Sequence, residues 1–217
     1  DGHATLASRK IWFDDTVRRL NADARGTLLG SFKGDDKILT INSQGEAKLV
    51  SFDLMNRFDD EYLILEKWKP EQPITCIYFD GEKGIYFIKR FLLDNTTNVQ
   101  NFMPSEHTRS FIENVVVANN SSLELVFAKE KDKVKDPETI TTDEFIAVKG
   151  IKAIGNQLTK NKVKSINITI PEPEEEINEG FDAVESTEGH ISFIDQDVKD
   201  EDFPEEGTIG ELFGFEE

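Results

Sequence analysis

The sequence predicts an all-β protein of propeller-like blades, each of about four strands, followed by a largely irregular acidic tail. Three observations predict it. Apolar residues fall in short runs rich in Ile, Val, Phe and Tyr and bounded by Gly, Asp, Asn and Pro, and no stretch carries a sustained helical stripe capped at both ends. A hairpin-like unit recurs at roughly the length of a four-stranded blade. The formal charge of -18 is concentrated at one end: residues 171–217 hold 18 acids and a single base, Lys199, which leaves residues 1–170 with 25 acids and 24 bases. The chain therefore divides into a near-neutral body, 1–170, and an acidic tail, 171–217.

The strand runs appear in order as Lys37 to Ile41, Ala47 to Phe52, Tyr62 to Leu65, Ile74 to Phe79, Ile85 to Leu93, Phe111 to Ala118, Leu123 to Ala128 and Glu144 to Val148. The first two form a hairpin, because Gly45 in the intervening turn can take the positive φ that a tight turn requires. The unit recurs as Ile74 to Phe79, a turn through Gly81 and Gly84, and Ile85 to Phe91. A looser third copy starts at Leu123 and returns at Glu144 to Val148, with the charged insertion Lys129 to Asp143 replacing the tight turn. The starts at residues 37, 74 and 123 match blade lengths. An ordinary β-sandwich with similar hairpins remains the alternative on spacing alone.

From Pro171 the texture changes to Pro-Glu-Pro-Glu-Glu-Glu and a stretch with almost no positive charge. Self-repulsion and the lack of alternation predict an adaptable tail without a core of its own. Its phenylalanines, Phe181, Phe193, Phe203, Phe213 and Phe215, exceed what a solvating tail needs, so docking on the body or on a partner is a second reading.

Catalytic and metal chemistry find little support. The three histidines are His3 at the terminus, His107, which lies in the polar loop Pro104 to Arg109 and reads as a solvated residue rather than a base, and His190 in the tail. Metal-ligand spacing is absent, and the glycines of Gly26 to Gly34 do not form a phosphate-binding fingerprint. The pairs Asp14-Asp15, Asp35-Asp36 and Asp59-Asp60 fall at strand ends, where turn chemistry accounts for them. The one cysteine, Cys76, lies in an apolar run and reads as a buried, inert thiol. No apolar run approaches the roughly 18 to 20 residues of a bilayer span, so no membrane partner is expected. The opening Asp-Gly-His reads as the start of a fragment.

Basic residues cluster locally within the neutral body. Arg18, Arg19 and Arg25 share one short segment with Lys33 close behind, Lys89 and Arg90 end a strand, and Lys149, Lys152, Lys160, Lys162 and Lys164 crowd its last part. Equivalent positions of successive blades lie along one rim, so these eleven residues are candidate phosphate contacts. Lys160, Lys162 and Lys164 alternate, which on a strand would put all three on one face and Val163 on the other. Solvation of an outer face is the plainer reading of the same residues.

Ser8 to Asn21, Arg25 to Phe32 and Asp36 to Leu39 resemble the C-terminal domain of bacterial type IIA topoisomerase A subunits, those of topoisomerase IV or DNA gyrase in Bacteroides-like bacteria. Ile77 to Lys83, Tyr86 to Phe91 and Glu144 to Lys160 extend the likeness, which covers about residues 5 to 168. The resemblance implies a β-pinwheel whose basic rim binds and bends double-stranded DNA for strand passage. The eleven basic residues would line that rim, and Tyr62, Tyr78 and Tyr86 would be packing residues, because the family's catalytic tyrosine belongs to another domain. The fragment would hold three to four blades, cleave nothing and need no cofactor. Its parent would be an ATP-dependent enzyme that uses ATP and Mg2+ through other domains and meets the topoisomerase B subunit through the rest of the A subunit. The implied location is the cytoplasm, on the bacterial chromosome. No Gln-Arg-Arg-Gly-Gly run occurs, the nearest trace being Lys152 to Thr159, so a topoisomerase IV-like parent fits better than a wrapping gyrase. The acidic tail is expected to compete with DNA for the rim, an autoinhibitory role, or simply to solubilise. A body of net charge -1 also fits a propeller-like protein-interaction module with weak or no DNA binding.

Overall fold

A computed structural model of the chain describes residues 7–131 and 133–172, which lie in a compact unit, Asp1–Glu174. His3, the tail from residue 173 with its five phenylalanines, and His190 lie outside the described residues.

Four antiparallel sheets follow one another along the chain. The first blade consists of β1 (Arg9–Asp14), β2 (Arg19–Asn21) and β3 (Thr27–Phe32). The second begins with β4 (Lys37–Ile41), β5 (Glu46–Ser51) and β6 (Ile64–Lys67). The third unit contributes β7 (Ile74–Asp80), β8 (Ile85–Phe91), β9 (Gln100–Asn101) and β10 (Phe111–Val117). The fourth contributes β11 (Ser122–Phe127), β12 (Glu138–Thr141), the one-turn helix α1 (Thr142–Phe145), β13 (Asn156–Gln157) and β14 (Val163–Thr169). The two tight hairpins expected around Gly45 and Gly84 are β4–β5 and β7–β8, pairing Lys37 with Ser51 and Ile74 with Phe91 at their open ends.

One wiring rule repeats. In every unit the first strand is central, the second pairs with it, and the third returns to its other side. The slot beyond the second strand is filled from the next unit, by the segment between that unit's second and third strands. Thus β9 pairs with β5 in the second blade and β13 pairs with β8 in the third. In the first blade a single bridge, Arg57 to Arg19, does the same for β2. The residue after each donated segment is a buried apolar one, Phe58, Phe102 or Leu158. Its N–H donates to the accepting blade, at the carbonyls of Arg18, Gly45 and Tyr86 respectively (3.1, 2.9 and 2.9 Å). Among the described residues, β12 has no such neighbour.

Glycine makes two of these approaches possible. Gly45 has φ +79°, and a Cβ there would stand 2.2 Å from Met103 Cγ. Gly155, at φ +94°, lets β13 close on β8, since a Cβ would lie 2.1 Å from the Ile88 carbonyl oxygen.

The cores lie between successive blades. Ile11, Phe13, Phe32, Ile38 and Phe58 join the first two. Leu39, Leu49, Cys76, Tyr78, Phe91 and Phe102 join the second and third. Ile77, Ile88, Leu123, Leu125, Phe127 and Ile166 join the third and fourth. Strands β4 and β7 are buried on both faces, which is why they read as continuous apolar runs rather than alternating ones. Each fully buried Leu, Ile or Phe contributes about 1.5–3 kcal/mol relative to exposure. Cys76 is buried as expected, and burial pushes its thiol up to about 12.

The expected return strand Glu144 to Val148 is corrected. The return is β12, which pairs Ile140 with Leu123, while Thr142–Phe145 turns into α1. Polar anchoring explains the change: Asp143 accepts the Asn120 N–H at 2.7 Å and pairs with Arg90 at 2.9 Å, and the Thr142 hydroxyl meets Ser121 at 2.9 Å. The β-branched run Thr139-Ile-Thr141 is the better strand former.

Candidate nucleic-acid interface

The eleven expected basic residues divide into exposed, tied and buried groups. Arg19, Arg25 and Lys33 are exposed at the first blade and the turn after it. Arg25 lies 3.6 Å from Asp23, and Arg19 makes no ion pair with a described residue. Arg9 and Arg19 line one cavity of about 290 Å³ with Arg25, and Asp14 and Asp23 share it. Arg18 is half-buried with φ +55°; it pairs with Asp15, donates to the Phe58 and Asp60 carbonyls, and stands over the Phe13 ring at 5.4 Å. Its guanidinium is committed to holding the donated segment around Phe58.

Lys89 and Arg90 are corrected. Both were expected on the rim, and both are buried, at 1% and 4% exposure. Lys89 Nζ donates to the carbonyls of Phe102 and Ile151, each at 2.7 Å, and burial pushes its ammonium down to about 8. Arg90 pairs with Asp143 and donates to the Ile146 carbonyl at 3.1 Å. In this conformation neither side chain reaches solvent, so neither is a phosphate contact.

In the last blade Lys149, Lys152, Lys160, Lys162 and Lys164 are all exposed. Lys152 Nζ donates to the Asn101 carbonyl at 2.9 Å and so braces β9. The expected single-face strand arrangement of Lys160, Lys162 and Lys164 is corrected, because β14 begins only at Val163: the first two lie in the preceding turn and Lys164 alone stands on the strand. The turn still keeps Lys160 and Lys162 together on one cavity wall.

Sequence reasoning missed Lys131, Lys133 and Lys135. They lie in the β11–β12 connection and line a cavity of about 520 Å³ with Lys162, Phe127 and Val134. Lys135 Nζ stands 4.5 Å over the Phe127 ring and pairs with Glu138 at 3.2 Å. Lys131, Lys133, Lys160, Lys162 and Lys164 make no ion pair with a described residue. The signal was present as lysine at every second position from 129 to 135, read only as a charged insertion.

The remaining candidates are structural. His107 accepts the Arg109 N–H at 3.2 Å within its loop. Tyr78 is buried and donates to the Ile154 carbonyl at 2.9 Å, and Tyr62 and Tyr86 are half-buried against neighbouring rings. Asp36 accepts the Lys33 N–H and pairs with Lys67 at 2.8 Å; the Lys67 hydrogen bond holds its carboxyl below the usual range. Among the described residues no cluster of three or more metal-ligating side chains occurs, and no helix is long and apolar enough to cross a membrane.

Blades stitched by donated strands, with lysines that lack acidic partners among the described residues at the end of the last one, define an all-β repeat module with a locally basic surface. The family model described as the topoisomerase C-terminal domain of Bacteroidota matches residues 19–170, and the chain belongs to that family. No curated protein and no solved structure matches it.

Proposed function

We propose that this domain binds and bends double-stranded DNA as the accessory module of a type IIA topoisomerase A subunit, presenting DNA for strand passage without cleaving it. Membership of a topoisomerase C-terminal domain family supports the topoisomerase setting. The observation that carries DNA binding is the group Lys131, Lys133, Lys160, Lys162 and Lys164, exposed without acidic partners among the described residues. Arg19, Arg25 and Lys33 extend it at the other end of the blade series, and Lys149 and Lys152 supply further positive charge. Such contacts neutralise phosphates and read little sequence, so binding is salt-steep and sequence-tolerant.

The missing Gln-Arg-Arg-Gly-Gly run favours a topoisomerase IV-like parent over a wrapping gyrase. In that setting ATP and Mg2+ act in other domains, the B subunit is met through the rest of the A subunit, and the location is the cytoplasm at the chromosome. The test is a mobility shift of duplex DNA at low salt with the chain and with a version ending at Ile170. Absence of any shift from both defeats the proposal. A protein-interaction module is the second reading, favoured by the burial of Lys89 and Arg90 and by the Asp partners of Arg18 and Arg25.

A further inference from the structure

Phe79, Tyr86 and Phe111 stand side by side on β7, β8 and β10, since Phe79 is the register partner of both others. Phe79 and Phe111 are stacked with centroids 5.4 Å apart, and Tyr86 meets Phe79 edge-on at 5.1 Å and Phe111 at 6.4 Å. Alternation along β7 and β8 puts Phe79 and Tyr86 on the same face as Ile77 and Ile88, toward the fourth blade. Phe79 and Tyr86 form one wall of a cavity of about 470 Å³ whose other wall is Lys160, Lys162 and Val163. Phe111, behind Phe79, is 44% exposed.

This cavity shares Glu130, Asn161 and Lys162 with the 520 Å³ cavity of Lys131, Lys133 and Lys135, so the two adjoin and together make up a groove lined by both sets of residues. Phe79 and Tyr86 lie at one end, and Lys131, Lys133, Lys135, Lys160 and Lys162 line the rest. Among the described residues Glu113, Glu130 and Glu138 oppose this charge, Glu138 by pairing with Lys135 at 3.2 Å. Glu113 accepts the Tyr86 hydroxyl at 3.5 Å, and Glu130 sits at the junction, fixed by paired backbone bonds with Lys133.

We propose that this groove binds single-stranded DNA, stacking bases on the Phe111–Phe79–Tyr86 platform while Lys160, Lys162, Lys131 and Lys133 follow the backbone. The proposal rests on the DNA-binding reading above and names a further ligand for the lysine end of that surface. A duplex offers its phosphates to lysines but keeps its bases stacked inside, unavailable to the rings of the platform. A single strand can turn its bases out. Rings beside a basic track are the combination that single-strand binders use, and each cavity is of nucleotide scale.

The test is fluorescence anisotropy of the whole chain at about 50 mM salt with a labelled oligothymidylate of about ten nucleotides, beside a duplex of equal length. Phe111→Ala is expected to weaken oligothymidylate binding by about fivefold or more and to leave duplex affinity within about twofold, while Phe111→Trp retains both. Phe111→Leu keeps the apolar contact with Phe79 and decides the matter should the alanine variant fail to fold. Duplex binding without oligothymidylate binding overturns this inference alone, as does equal oligothymidylate affinity of the parent and the folded Phe111 variant. Absence of binding to both DNAs overturns the inference together with the DNA-binding reading.

Discussion

Lys89 Nζ donates to the Phe102 carbonyl at 2.7 Å, so a buried ammonium on the third blade holds the residue that follows the strand donated to the second. Its other bond, to Ile151, secures the loop leading to β13. One side chain thereby pins two donated segments. Lys89→Ala leaves two carbonyls without their donor and is expected to lower stability by about 2–4 kcal/mol in urea titrations near neutral pH.

The same residue sets a pH dependence. Its folded value of about 8 lies below that of an unfolded lysine, about 10.4. Between these values the unfolded chain binds more protons, so the Lys89 contribution to stability rises with pH. Cys76, pushed up to about 12, acts in the opposite direction over an overlapping range. The stability difference between the parent and Lys89→Met isolates the lysine: it is expected to shift in favour of the parent from about pH 8 to pH 10. A difference that stays flat over this range contradicts the prediction.

Arg90 and Asp143 join the third blade to α1 at 2.9 Å, with the guanidinium buried. Removing the carboxylate leaves an uncompensated charge between the blades. Asp143→Ala is expected to cost about 3–4 kcal/mol, measured as a lowered urea midpoint, whereas Asp143→Glu recovers part of the loss.

Two glycines separate strain from collision. Gly84 has φ +71° with open space around it, so Gly84→Ala carries only the left-handed backbone penalty, about 1 kcal/mol. Gly155→Ala adds a Cβ 2.1 Å from the Ile88 carbonyl and must displace β13. It is expected to cost about 2–4 kcal/mol and to raise amide exchange at Leu158, whose N–H bonds to Tyr86.

Charge predictions distinguish tail from body. A chain ending at Ile170 loses most of the net charge of -18, so long-range repulsion of DNA falls and duplex affinity at low salt is expected to rise. Replacing Lys160, Lys162 and Lys164 together by alanine is expected to reduce the salt slope of log affinity by about 0.9 for each phosphate that is no longer neutralised. Lys89→Met leaves that slope unchanged. Gel shifts across a salt series check all three proteins.

The all-β class and the hairpins at Gly45 and Gly84 were legible because a period of two, β-branched runs and positive-φ glycines are local properties. Cys76 was legible for a related reason: a strand apolar at every position must be covered on both faces. The helical turn at Thr142–Phe145 was not, because its cause lies in Arg90 and Asn120, distant in sequence. Lys131, Lys133 and Lys135 were visible but carried no meaning until the fold brought them beside Lys162.

By itself, then, the sequence determined strand content, the repeat, the neutral body with its acidic tail, and the likeness to topoisomerase C-terminal domains. Tertiary structure alone decided the donated fourth strands and the sorting of the basic residues. A dipeptide such as Gln100-Asn101 has no strand signature, and its place on β5 depends on a partner about fifty residues earlier. Lys89 and Lys162 are the same residue type, the first in the largely apolar run Ile85 to Leu93 and the second in the polar stretch Thr159 to Lys164. One is buried because two carbonyls from other segments converge on it, and the other stays in water because none do.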